Sequence, residues 1–146
     1  MNLLLLANVA STWALVGLIW VIQLVHYPLF GLVGREMWSA YEAAHQTQIT
    51  LLVLPLMLVE LATSFLMAAD PPKGVPTWAT WFGLGLVGVA WLSTAFIQVP
   101  LHGQLSLHWD TKVHQALVAT NWIRTAAWSA HGALVLWFLA RVFEAR

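Results

Sequence analysis

Four histidines of this chain have the positions expected of a metal centre. Imidazole nitrogen is a good ligand for Zn, Cu, Fe and Ni. Glu42 lies three residues before His45, so a carboxylate and an imidazole share one helical face. Asp110 lies four residues before His114 and could form a second pair of the same kind if the last helix begins early. The predicted metal ligands are His26, His45, His102, His114, Glu42 and Asp110.

The pattern leaves the identity of the metal open. Di-iron bundles normally use the Glu-x-x-His element twice, with two further glutamates, whereas this chain has it once. A mononuclear or dinuclear Cu or Fe site rich in histidine fits as well, and a haem needs only one or two axial histidines. His108 and His131 are predicted to lie outside the site. His131 follows His114 by seventeen residues, which is about 25 Å of helix.

The composition indicates that membrane-spanning helices position these residues. Of 146 residues, 60% are apolar and 8% are charged, against about 25% charged in a typical soluble domain. The net charge is zero, so no basic field exists to attract nucleic acid. A span needs about 20 mostly apolar residues, and such runs cover residues 3–25, 49–69, 78–99 and 116–140. We predict one domain, an all-α, integral membrane four-helix bundle.

Prolines and charges predict the span ends and the orientation. Pro28 and Pro100 are expected to end the first and third spans, because proline removes a backbone donor. The first run is too long for a signal peptide and is expected to be retained. The side that holds both termini carries three Lys or Arg residues against two on the other. This asymmetry favours cytoplasmic termini.

Each predicted span carries a polar stripe. Residues three, four or seven apart share a helical face, and hydrocarbon is a poor environment for polar groups. The stripes should therefore face the interior of the bundle and form a polar pocket at one end. The side chains predicted to line this pocket are Gln23, Gln48, Gln98 and Asn121.

Two charged residues lie within the predicted spans. Glu60 is about 16 Å below the start of the second run, and Arg124 is about 12 Å below the start of the fourth. Each charge alone costs about 2.5–3.5 kcal/mol or more at the bilayer centre. We therefore predict an intramembrane ion pair between Glu60 and Arg124. A clamp that sets helix register, a proton relay and a substrate anchor remain open as its role.

Gly83, Gly85 and Gly88 have the spacing of a dinucleotide-binding motif. That motif requires a strand before it and the start of a helix after it. Here the three glycines lie inside an apolar run, so we expect them to allow close packing of helices instead.

The chain resembles small bacterial four-span membrane proteins of poorly defined function, and it is similar to the anthrone-oxygenase-like group. Members of that group often carry a Val-Pro-Leu element after the third span, here Val99-Pro100-Leu101. The resemblance implies oxidation of a lipophilic substrate and transfers no catalytic residue. The segments that carry the resemblance are residues 23–30, 41–45, 55–60, 99–102 and 120–125.

Two hypotheses of function follow. The first is a membrane-embedded metal- or haem-binding redox protein, a metal-dependent oxidoreductase that acts on a lipophilic substrate or quinone. The second is a non-catalytic accessory subunit of a respiratory or photosynthetic complex, in which some of the ten tryptophans pack against partner helices, pigments or another copy of the chain.

Overall fold

Four long helices make up nearly all of the structure. A computed structural model describes residues 3–145, and within them no strand occurs. All four helices are long and apolar enough to cross a membrane, which confirms the predicted all-α bundle. They are α1 (Leu3–Leu32), α2 (Trp38–Ala69), α3 (Thr77–Leu107) and α4 (Thr111–Glu144).

The helices are longer than the apolar runs predicted. The prediction that Pro28 and Pro100 end their spans is wrong, because α1 continues to Leu32 and α3 to Leu107. Pro55 likewise lies inside α2. The polar residues that follow each proline therefore stay helical and extend the bundle at the end opposite the termini.

A π-helical segment precedes the proline in both α1 and α3. The segments are Ile22–His26 and Thr94–Gln98, each five residues long. The N–H of Tyr27, and likewise that of Val99, donates to the carbonyl of the first residue of its segment. This widened turn resets the hydrogen-bond register, and the proline falls in the first turn of the next α-helical stretch, where no backbone donor is needed. The proline is thus accommodated without ending the helix.

The packing of the four helices forms two apolar layers. The larger cluster includes Ile19, Tyr27, Phe30 and Trp128 and surrounds the polar residues at the end away from the termini. The smaller one lies near the termini and includes Phe138.

Close helix packing at the glycine motif is seen at one of its three positions. A Cβ added to Gly83 would lie 3.2 Å from Leu134 Cδ2 and 3.5 Å from His131 Cδ2. Gly85 and Gly88 have no such atom within 4 Å. Gly83 therefore lets α3 approach α4, whereas no neighbouring atom requires a glycine at position 85 or 88.

Asp110 has a structural role at the start of α4. Its Oδ1 accepts hydrogen bonds from the backbone N–H groups of Lys112 at 2.7 Å and Val113 at 3.2 Å. These are the bonds of a helix N-cap. The bonds from Val113 and Lys112 hold the pKa of the Asp110 carboxyl below its ordinary value. Asp110 thus caps α4, and within residues 3–145 it belongs to no group of three or more His, Asp or Glu side chains that could hold a metal ion. Its predicted role as a metal ligand stays a prediction.

We expect the cap to stabilise the protein in a pH-dependent way. Because the folded-state pKa of Asp110 is lowered, its contribution is present above the ordinary aspartate pKa and is lost as the pH falls through the folded-state value. Asp110→Ala should lower the Tm at neutral pH, and the deficit should shrink in acid. Asp110→Asn, which caps without ionising, should show a smaller deficit at neutral pH. An Asp110→Ala deficit that is equally large in acid would contradict this assignment.

Candidate intramembrane ligand site

Polar side chains form a column inside the bundle, as the stripes predict. Three of the four side chains predicted to line a pocket, Gln23, Gln98 and Asn121, are buried. Asn121 Nδ2 donates to Gln23 Oε1 at 2.8 Å, which links α4 to α1. Gln48 differs, because it lies exposed on the outer face of α2, where it lines a second pocket of about 460 Å³ together with His26 and His45.

Four side chains from four helices form a continuous hydrogen-bonded chain. Glu42 of α2 lies 2.6 Å from His102 Nδ1 of α3, and His102 Nε2 lies 2.9 Å from the Tyr27 hydroxyl of α1. Arg124 Nη2 of α4 donates to the same hydroxyl at 3.1 Å. Tyr27 and Glu42 are 3% and 0% exposed. The chain therefore joins a carboxylate to a guanidinium through an imidazole and a phenol, away from water.

The donors and acceptors are all matched if the chain runs in one direction and His102 takes one tautomer. A guanidinium can only donate, so the Tyr27 oxygen accepts from Arg124 and its own hydrogen is free to point to His102 Nε2. His102 is then the tautomer that carries its hydrogen on Nδ1 and donates it to Glu42. Gln46 Nε2 also donates to Glu42, at 3.1 Å. In this tautomer the His102 imidazole accepts from tyrosine on one side and donates to glutamate on the other.

Arg124 is buried among neutral oxygen atoms. Its side chain donates to Asn121 Oδ1 at 2.9 Å and contacts Thr94 Oγ1 and Gln98 Oε1, each at 3.4 Å. Within residues 3–145, no carboxylate forms a salt bridge with Arg124. The nearest compensating charge along the hydrogen-bond network is Glu42, two side chains away.

The predicted ion pair between Glu60 and Arg124 does not form. Glu60 lies 3.0 Å from His131 Nδ1 instead, and it accepts hydrogen bonds from Trp128 Nε1 at 2.9 Å and Thr12 Oγ1 at 3.0 Å. Asn8 donates to the Glu60 carbonyl nearby. Glu60 is wholly buried, and each carboxylate oxygen has a donor.

The lengths of α2 and α4 explain why Glu60 contacts His131 and not Arg124. Measured from the starts of the actual helices, Glu60 is about 33 Å along α2, and Arg124 is about 20 Å along α4. His131 is about 30 Å along α4 and so matches Glu60 in depth. The predicted depths of Glu60 and Arg124 are counted from the starts of the apolar runs, at residues 49 and 116, and both runs begin inside their helices. The helix α2 begins further ahead of its run than α4 does, so the two counts do not match in the structure.

The structure brings four of the six predicted metal ligands together, namely Glu42, His26, His45 and His102. Most of their ring nitrogens face hydrogen-bond partners, whereas His45 Nε2 is buried and has no partner in the described part of the chain. The rings of His26 and His45 are 4.8 Å apart between centroids, and those of His45 and His102 are 5.2 Å apart. His26 Nε2 lies 3.0 Å from His45 Nδ1. His114 points elsewhere, with Nε2 2.8 Å from the Tyr27 carbonyl.

The described part of the chain gives the metal-centre hypothesis no support. Residues 3–145 contain no group of three or more His, Asp or Glu side chains that could hold a metal ion. His108 is exposed at the end of α3 and belongs to no cluster, as predicted. His131 lies outside the histidine cluster, also as predicted, but it takes part in the Glu60 network.

A cavity of about 400 Å³ lies beside the hydrogen-bonded chain. Its walls are mostly aliphatic side chains of α1 and α2, with Trp91 and Trp128 at the α3 and α4 side. Polar groups line one region of it, and Trp128 connects its wall to Glu60. The polar side chains on the wall are Tyr27, Gln46, Thr50, Thr94, Gln98, His102 and Arg124.

Sequence reasoning missed Tyr27 and Gln46, and it gave Trp128 no partner. One signal was available for Tyr27, which lies four residues after Gln23 and so continues the polar stripe of α1. Trp128 lies on the polar stripe of the last span, because it shares a helical face with Asn121 and His131. That spacing does not identify Glu60 as its partner, because the partner depends on how α2 and α4 pack.

Comparison of the chain with models of known protein families, with curated proteins and with solved structures finds no match. The similarity to the anthrone-oxygenase-like group stays a prediction.

The partner assignment of Glu60 can be tested by double-mutant cycles. Glu60→Gln and His131→Gln should be coupled by about 1–3 kcal/mol in the free energy of unfolding, because the two side chains are in direct contact. Glu60→Gln and Arg124→Gln should be coupled less, because no hydrogen bond joins them. The measurement is denaturant unfolding in mixed micelles. A larger coupling energy for the Arg124 cycle than for the His131 cycle would instead support the predicted ion pair between Glu60 and Arg124.

Proposed function

We propose that this protein binds a lipophilic molecule with a polar, oxygen-bearing head group in the cavity between its helices. The observation that carries the proposal is a buried arginine on the wall of a largely apolar cavity. Ligand sites combine apolar walls with a few convergent polar groups that orient the ligand. Here the apolar part would hold the tail, and Arg124, Tyr27 and Gln98 would hold the head.

The surroundings of Arg124 support this assignment. An ionised side chain inside a membrane protein is costly and marks a functional site by default. Glu60, by contrast, has its donors within the protein. Arg124 has only neutral contacts, so an electron-rich oxygen of a ligand would supply the compensation that the protein leaves out.

Quinones and phenols are the ligand classes that fit best. Both join an apolar ring or tail to oxygen atoms that accept hydrogen bonds, and the fork of donors on arginine suits such acceptors. A role in oxidation of lipophilic molecules agrees with this class of ligand. The proposal does not depend on the metal or haem predicted from the sequence, which stays a prediction. Residues 3–145 contain no group of three or more His, Asp or Glu side chains that could hold a metal ion.

The proposed orientation rests on the three Lys or Arg residues on the side that holds both termini, against two on the other side. In a bacterial inner membrane with both termini in the cytoplasm, the hydrogen-bonded chain would lie toward the outer face. A lipophilic ligand would enter from the bilayer, because the cavity lies among the spans.

Binding of decylubiquinone to the purified protein in detergent, measured by calorimetry, tests the proposal. Ala95 lines the cavity and is exposed to lipid, so Ala95→Phe should obstruct the cavity without disturbing the core. We expect it to weaken binding at least about tenfold, which corresponds to about 1.4 kcal/mol. Ala126→Phe, at an exposed position of α4 outside the cavity, should bind like the wild type.

A second comparison isolates the head group. Arg124→Met should weaken binding of the quinone while sparing an alkylbenzene of similar size that carries no oxygen. Wild-type affinity in the Ala95→Phe variant would exclude the cavity as the site. If the quinone does not bind and the protein purifies only within a larger complex, the accessory-subunit hypothesis takes its place.

A further inference from the structure

We infer that Tyr27 is an acid–base group, which takes a proton from an acidic O–H of the bound ligand and passes its own proton to His102. The inference rests on the proposed function and narrows the ligand class to lipophilic molecules whose head ionises, such as phenols and enols. Glu42 and His102 act here as positioning residues, and Arg124 faces the anion that results.

The hydroxyl of Tyr27 has the contacts that a proton relay requires. Tyr27 lines the cavity, and its hydroxyl oxygen accepts from Arg124 and lies 2.9 Å from His102 Nε2, to which it can donate. His102 Nδ1 is in turn held by Glu42 at 2.6 Å. An imidazole that accepts on one nitrogen and is oriented by a carboxylate on the other is the arrangement of a general base.

The two buried carboxylates differ in a way that favours this role for Glu42. Both oxygens of Glu60 have donors, and Glu60 does not line the cavity. Glu42 Oε2, in contrast, is buried and finds no partner in the described part of the chain. The Glu42 carboxylate therefore has unused capacity to stabilise a positive charge that forms on His102.

The proposed step conserves protons and charge. The O–H bond of the ligand breaks, and its proton moves to the Tyr27 oxygen while the Tyr27 proton moves to His102 Nε2. The ligand becomes an anion that faces the Arg124 guanidinium, and His102 becomes an imidazolium beside the Glu42 carboxylate. Two ion pairs, ligand with Arg124 and His102 with Glu42, thus replace the separated charges of Arg124 and Glu42. No proton leaves the protein.

Other titratable groups also surround Tyr27. His45 of α2 lies 6.3 Å from it between ring centroids, and His26 lies 6.4 Å away. His114 of α4 contacts its backbone carbonyl. None of these three contacts involves the Tyr27 hydroxyl, which leaves His102 as the acceptor of its proton.

The test uses an alkylated 4-nitrophenol, whose ionised form absorbs visible light. The probe is added to the protein in weakly buffered detergent at a pH well below the pKa of the free probe, and a pH-indicator dye reports protons released to solution. The wild type should show the anion band with almost no released protons, because the proton stays on His102. The methyl ether of the probe, which cannot ionise, should bind without either signal.

Variants separate the relay from simple attraction to Arg124. Tyr27→Phe and Glu42→Gln should lose most of the anion band while still binding the methyl ether. Tyr41→Phe, which removes the other tyrosine of the chain, should behave like the wild type. If Glu42→Gln fails to fold, the anion band of Tyr27→Phe and the number of protons that the wild type releases still test the inference.

Two results overturn the inference while leaving the proposed function standing. One is release of a full proton per anion formed in the wild type, and the other is an unchanged anion band in Tyr27→Phe. Failure of both the probe and its methyl ether to bind would instead count against the proposed function itself.

Discussion

The buried guanidinium of Arg124 is the constraint on which the organisation of the bundle interior depends. Hydrocarbon offers no hydrogen bonds, so the protein must supply an acceptor for each buried donor. Tyr27, Asn121 and Gln98 do so from three different helices. Their contacts fix the relative rotation of α1, α3 and α4 around one point, and the cavity lies where the apolar packing of these helices gives way to that network.

The π-helical segments place the partners of Arg124. Tyr27 follows the segment Ile22–His26, and Gln98 ends the segment Thr94–Gln98. An added residue in a helical turn rotates all that follows, and such segments are frequent at functional sites. Each one here also precedes a proline that the helix then accommodates. The same backbone feature thus extends the helices and turns His102 toward Glu42.

The two carboxylate networks differ in depth and in how many of their carboxylate oxygens have a hydrogen-bond donor. The Glu60 network is fully satisfied by His131, Trp128 and Thr12, so its removal should chiefly affect stability. The Glu42 network faces a cavity and keeps an unpartnered oxygen. Trp128 joins them, because it lines the cavity with its ring and donates to Glu60 with its Nε1.

The sequence by itself determined the class of the protein and several of its buried polar residues. Scarce charge and four apolar runs predict a membrane bundle, and polar stripes predict an interior lined by Gln23, Gln98 and Asn121. The partners within that interior were decided by the tertiary structure. Whether Glu60 meets Arg124 or His131 depends on where α2 and α4 begin, which hydropathy does not locate, since polar residues extend both helices. The part played by Tyr27 likewise depends on a backbone hydrogen-bond register around Pro28 that local composition does not encode.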